Sequence, residues 1–135
     1  MNIIYVDGTF DLLHIGHIDF FKSIKKKSDI LIVGVINDIN VKSYKRLPIH
    51  DLKHRSEMLR NIKIVDMVIE DCPFNGISIE FINKYKITKI YYGGSSNTWT
   101  DHYRIPINLR IMNYIDYISP HISTSKIIEK IKKEY

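Results

Sequence analysis

Apolar and polar positions alternate along this chain in two rhythms. Ile3-Ile4-Tyr5-Val6 is a short β-branched run that stops at Asp7-Gly8-Thr9, which predicts a buried strand ending in a turn. From Ile15 to Lys27, Ile15, Ile18, Phe21 and Ile24 recur at every third position, a helical stripe. Ile30 to Ile36 is apolar throughout, as in a strand covered on both faces of a parallel sheet. The alternation then repeats. A helix is predicted from about Asp51 to Ile62 with Leu52, Met58, Leu59 and Ile62 inward, then a strand over Met67-Val68-Ile69. A helix over Ile77–Tyr85 and a strand over Lys89–Tyr92 ending at Gly93-Gly94 follow. The last pair is a strand near Tyr114–Ile118 and a helix from Ser123 onward. Strands alternating with helices predict an α/β fold: one Rossmann-like parallel sheet of about five strands, helices on both faces, right-handed crossovers.

At 135 residues, without a low-complexity linker, residues 1–135 are expected to form a single domain. The lone Cys72 excludes an internal disulfide, and no Cys/His cluster offers a zinc set. The N-terminus lacks a basic-then-apolar leader and no run is long enough to span a bilayer, so a cytoplasmic protein with no membrane insertion is expected. The net charge of +5 is dispersed over Lys25-Lys26-Lys27, the Lys42, Lys45 and Arg46 group, and Lys130, Lys132 and Lys133. With no stacking platform or clustered basic face, no nucleic-acid partner is expected.

In an open parallel sheet, ligands bind at the carboxyl ends of the strands near the topological switch point. The polar segments after the first, second and fourth strands, Asp7 to His17, Asn37 to Asp51 and Gly93 to Pro106, all fall there, as does the helix start at Ser123-Thr124-Ser125. In the first of them, His14 and His17 flank Gly16 at a helix start, where free N–H groups and the dipole favour a phosphate. The long segment from Asn37 to Pro48 is expected to close over a bound triphosphate and carry Lys45 to it.

The stretch Gly8-Thr9-Phe10-Asp11-Leu12-Leu13-His14-Ile15-Gly16-His17 resembles the H-x-G-H signature of the nucleotidyltransferase superfamily that contains the cytidylyltransferases. Tyr44-Lys45-Arg46-Leu47-Pro48, His54-Arg55-Ser56-Glu57-Met58-Leu59, Ile62 to Val68 and Ile122-Ser123-Thr124-Ser125 resemble further segments of the glycerol-, choline- and ethanolamine-phosphate cytidylyltransferases, in the same order. The resemblance implies transfer of CMP from CTP to a small phosphorylated alcohol, with release of pyrophosphate and formation of a phospholipid or glycan precursor. It implies catalysis by His14, His17 and Lys45, and nucleotide binding by Gly8, Thr9, Phe10, Gly16, Gly93, Ser123, Thr124 and Ser125. Asp11, Asp38, Arg55 and Lys63 fall on the acceptor side. Mg²⁺ is expected to come with the nucleotide, with no metal held by the protein's own ligands. A homodimer is implied, with contacts from the first helix to the second strand and around His54 and Arg55.

Two segments depart from the family. Ile118-Ser119-Pro120-His121 stands where the cytidylyltransferases have Arg-Thr-x-Gly, leaving Arg104, Arg110 or Lys63 as substitutes, and Gly94-Ser95-Ser96-Asn97-Thr98-Trp99 stands where they have Gly-Asp-Asp. An ATP-using adenylyltransferase of the same superfamily, or a nucleotide-binding regulatory module, is therefore the alternative. Trp99 and Tyr103 are open to stacking on a base, to walling an acceptor pocket or, equally, to packing alone.

Overall fold

Five strands lie side by side in the order β3-β2-β1-β4-β5, every neighbouring pair parallel. They are β1 (Ile3–Gly8), β2 (Ile30–Val35), β3 (Met67–Glu70), β4 (Lys89–Tyr92) and β5 (Met112–Tyr114). Interleaved with them are α1 (Ile15–Lys25), α2 (Asp38–Lys42), α3 (Leu52–Arg60), α4 (Ile79–Tyr85), α5 (Arg104–Asn108) and α6 (Thr124–Glu134). The computed structural model describes residues 1–94, 96, 98–115 and 122–135. Among the described residues no helix is long and apolar enough to cross a membrane.

The period-two geometry of β1 sends Ile4 and Val6 to one face and Ile3 and Tyr5 to the other. The first pair joins Leu31, Val33 and Val35 of β2 beneath Phe21 and Ile24 of α1 and Leu59 of α3. The second joins Ile32 and Ile90 beneath Ile82 of α4 and Tyr103 beside α5. Both faces of the sheet are thus covered, as the apolar run of β2 predicts.

Several expectations change in detail. Ile15 is 58% exposed, because α1 turns Gly16, Phe21 and Ile24 inward. Met58 is 49% exposed, because the inward row of α3 is Leu52, Arg55, Ser56 and Leu59. The last strand begins at Met112 rather than Tyr114, and the Asp116–Ile118 part of the expected strand lies outside the described residues. The segment from Asn37 is not loop throughout: Asn37 caps α2 by accepting from the Asn40 N–H at 2.8 Å, and Val41 is fully buried. Only residues 43–51 remain irregular, which shortens the stretch able to close. The segment after β4 likewise contains α5.

Candidate active site

Because β1 lies between β2 and β4, the chain leaves β1 in opposite directions across the sheet, and the switch point falls at the carboxyl ends of β1 and β4. Three contiguous cavities line that edge. One, of about 310 Å³, is bordered by His14, Gly16, His17, Gly93, Ser123 and Thr124. A second, of about 210 Å³, is bordered by Thr9, Asp11, His17, Lys45, Arg46 and Thr124. The third, of about 180 Å³, is walled by Tyr44, Phe74, Tyr92, Trp99 and Tyr103 over Asp7. Thr124 and His17 border the first two, and Lys45 borders the second and third.

The two histidines start α1 themselves. The His14 ring accepts the Gly16 N–H at Nδ1 (3.0 Å), and the His17 ring accepts the His14 N–H at Nδ1 (3.2 Å), a reciprocal cap built from imidazoles. With both Nδ1 atoms accepting, the partners assign the ring protons to Nε2, so each neutral ring presents an N–H donor. The rings lie 4.0 Å apart. Burial, with the neighbouring His14 and Lys45, pushes His17 down to about 4, and burial lowers His14 as well.

This has a consequence for stability. Unfolded, His17 takes up a proton near its ordinary value of 6.5; folded, it resists until about 4. The stability it supports at neutral pH is therefore lost as pH falls from 6.5 toward 4, by about 3 kcal/mol at most. Thermal melts across that window should show a steep fall, shallower in His17→Gln.

Lys45 sits between the second and third cavities, its ammonium 5.7 Å from the Tyr44 ring centroid. Desolvation, reinforced by Arg46, lowers its pKa. Thr124 Oγ1 donates to the Asp11 carbonyl (3.0 Å) and Ser123 Oγ accepts the Lys126 N–H (3.1 Å). The Thr124 hydroxyl proton is thus engaged, while the Ser123 O–H and the first N–H groups of α6 remain as donors at the helix start. A side-chain carbon at Gly8 would come within 3.0 Å of the Phe10 ring, so glycine lets Phe10 fold back into the wall against Phe21, with centroids 5.3 Å apart.

Three of the residues expected on the acceptor side, Asp11, Asp38 and Arg55, are hydrogen-bonded within the protein itself. Asp11 is buried, its carboxylate accepting the N–H groups of Leu12 (3.1 Å), Ile49 (2.6 Å) and His50 (3.0 Å). Arg55 is 1% exposed. Its guanidinium donates to the Thr9 carbonyl (2.7 Å), the His50 carbonyl (2.9 Å) and the Asp38 carboxylate (2.5 Å). These bonds tie the segments after β1 and β2 to the Lys45 loop. Lys63 precedes β3 at the amino-terminal edge of the sheet, the end opposite the cavities, so neither acceptor binding nor replacement of the missing arginine falls to it. Arg104 is exposed and paired with Asp101, and the Ile118–His121 segment lies outside the described residues.

The sequence reading passed over Asp7 and His102. The Asp7 carboxylate, its side chain 3% exposed, accepts from Tyr103 Oη (2.5 Å) and His102 Nε2 (2.8 Å). Among the described residues no Lys or Arg pairs with it. The trace it left in the sequence was a carboxylate immediately after a buried strand. No group of three or more His, Cys, Asp or Glu among the described residues is placed to hold a metal ion.

Residues 5–130 match the family model described as cytidylyltransferase-like. An FAD synthase of Pyrococcus abyssi is 39% identical over 137 residues, covering 95% of this chain and 90% of the relative. An ethanolamine-phosphate cytidylyltransferase of Arabidopsis thaliana is 33% identical over 138 residues, 96% of this chain, which spans about a third (32%) of that relative's length. The crystal structure of a lipopolysaccharide core biosynthesis protein from Thermoplasma volcanium superposes with a TM-score of 0.71 at 28% identity, over 88% of this chain and 99% of that one.

Proposed function

Because the chain belongs to the cytidylyltransferase-like family, we propose that it transfers CMP from CTP to a small phosphorylated alcohol bearing a cationic head, phosphocholine or phosphoethanolamine, and releases pyrophosphate. The observation that carries the acceptor assignment is the third cavity: a buried carboxylate, Asp7, paired with no Lys or Arg among the described residues, under a wall of aromatic rings. A cation seated on aromatic faces gains about 0.5–2 kcal/mol there, and a desolvated carboxylate adds to it.

In this reading an oxygen of the acceptor phosphate attacks the α-phosphorus in line, the bond from the α-phosphorus to the bridging oxygen breaks, and pyrophosphate leaves; Mg²⁺ bound with the nucleotide would neutralise charge on its phosphates. The chain contributes positioning and charge neutralisation. His14 and His17 donate through Nε2–H to the α-phosphate and the departing oxygens. Lys45, between the acceptor cavity and the phosphate cavity, neutralises both reacting phosphates as residues 43–48 close. The start of α6 at Ser123-Thr124-Ser125 holds the β- and γ-phosphates, and Gly93 borders the nucleoside.

The FAD synthase relative supports a second reading in which ATP replaces CTP. Pyrophosphate release measured with each NTP against phosphocholine, phosphoethanolamine and glycerol 3-phosphate separates the two. CTP with the cationic acceptors is expected to be fastest; equal rates with ATP would remove the nucleotide assignment. A homodimer is proposed as well. Arg55 is interior and cannot be a contact, which leaves exposed Ile15, His54 and Met58 as candidates; a monomer mass by light scattering would end that proposal.

A further inference from the structure

The acceptor cavity is assembled from segments far apart in the chain: Asp7 at the end of β1, Phe74 after β3, and Trp99 and Tyr103 after β4. One side chain touches all three. His102 Nε2 meets the Asp7 carboxylate at 2.8 Å, and its Nδ1 accepts the Gly76 N–H at 3.0 Å. The His102 carbonyl accepts the Ile77 N–H at 3.1 Å, and its ring centroid lies 6.3 Å from that of Phe74. Since Gly76 donates to Nδ1, the ring proton is on Nε2 and is given to Asp7. No other residue type in the chain carries an acceptor and a donor on opposite sides of one rigid ring.

We propose that His102 is a positioning residue that sets acceptor specificity: it aims the Asp7 carboxylate into the cavity and fastens the Phe74–Ile77 segment as the facing wall. It acts chiefly on the acceptor side: none of its partners borders the cavity shared by His17, Lys45 and Thr124, and Asp7 alone of them reaches the edge of the histidine cavity. Asp7 without this donor would keep Tyr103 as its one partner and could rotate away from the cavity.

This inference rests on the third cavity being the acceptor site, and the experiment separates its failure from that of the acceptor assignment. The wild-type protein is first assayed with phosphocholine, phosphoethanolamine and glycerol 3-phosphate. A preference for glycerol 3-phosphate removes the cationic-acceptor reading, whereas the role of His102 is measured with whichever acceptor the wild type uses best. His102→Leu should raise the KM for that acceptor by about tenfold or more, the loss of a hydrogen bond to a charged group, while the nucleotide KM stays within about twofold. It should also flatten the preference among the three acceptors. His102→Gln, which can still donate to Asp7, should recover part of the loss. In an Asp7→Asn background the His102→Leu change should add little, because its effect runs through that carboxylate. The nucleotide KM doubles as the folding control, and if His102→Leu does not fold, His102→Asn is measured against the same criteria. An unchanged acceptor KM, acceptor and nucleotide KM rising together, or full additivity with Asp7→Asn would each overturn the proposal.

Discussion

Alanine at His17 should lower the rate of pyrophosphate release by about 10²–10³, the usual loss when one preorganised donor to a transition-state oxyanion is removed. The magnitude follows from the fixed geometry of the ring. Its Nδ1 is committed to the His14 N–H, so Nε2–H is aimed without any reorganisation during the reaction. Alanine also removes half of a helix cap, worth about 1 kcal/mol. The two effects are separable: the melting temperature reports the cap, and kcat under saturating substrates reports the donor. His14→Ala should behave alike, since its ring makes the reciprocal contact to Gly16. Near wild-type turnover in both variants would show that the phosphates are held elsewhere.

Arg55→Met should be strongly destabilising, costing about 3 kcal/mol or more. It puts an uncharged side chain at a fully buried position, takes the donors from the carbonyls of Thr9 and His50 and leaves Asp38 without its partner. Against a typical total of about 5–15 kcal/mol, that is a large share. Arg55→Lys should recover little, because a point ammonium cannot reproduce three bonds made from one planar fork. Where the variant remains folded, kcat should fall with little change in acceptor KM, since the guanidinium braces the Lys45 loop and touches no cavity shared with Asp7. Urea titration and steady-state kinetics on the same preparations give both quantities.

The centre of the sheet was readable because β1 and β2 carry apolar runs, and the H-x-G-H turn because its residues are consecutive, whereas β5, Met112-Asn113-Tyr114, is short and mixed and shows no such run. The helix faces were less so. Ile15 and Met58 satisfy a spacing of three as well as an inward residue does, and only packing shows that Gly16 and Arg55 take the inward places. Five-residue α2 is too short to display a period at all. The sequence is least informative where chemistry and burial conflict. Arg55 and Asp11 carry the charges expected of ligand contacts, yet their hydrogen bonds go to backbone groups of neighbouring loops and, for Arg55, to the Asp38 carboxylate as well. Asp7 and His102 are 95 positions apart and meet only because β1 and β4 are adjacent, a pairing that local patterns do not encode.

The position of β1 in the strand order also implies a gradient of hydrogen exchange across the molecule. β1 is paired on both sides, to β2 and to β4, and carries Asp7 and the turn to His14 at its end. β5 is three residues long and bonded on one side, and α6 has no buried residue. Amides of β1 should therefore exchange only through global opening, and those of β5 and α6 through small local fluctuations. The cradle is firmest on the histidine side and loosest on the α6 side, so a triphosphate bridging the two should slow exchange throughout α6 and, by stabilising the folded state as a whole, in β1 as well.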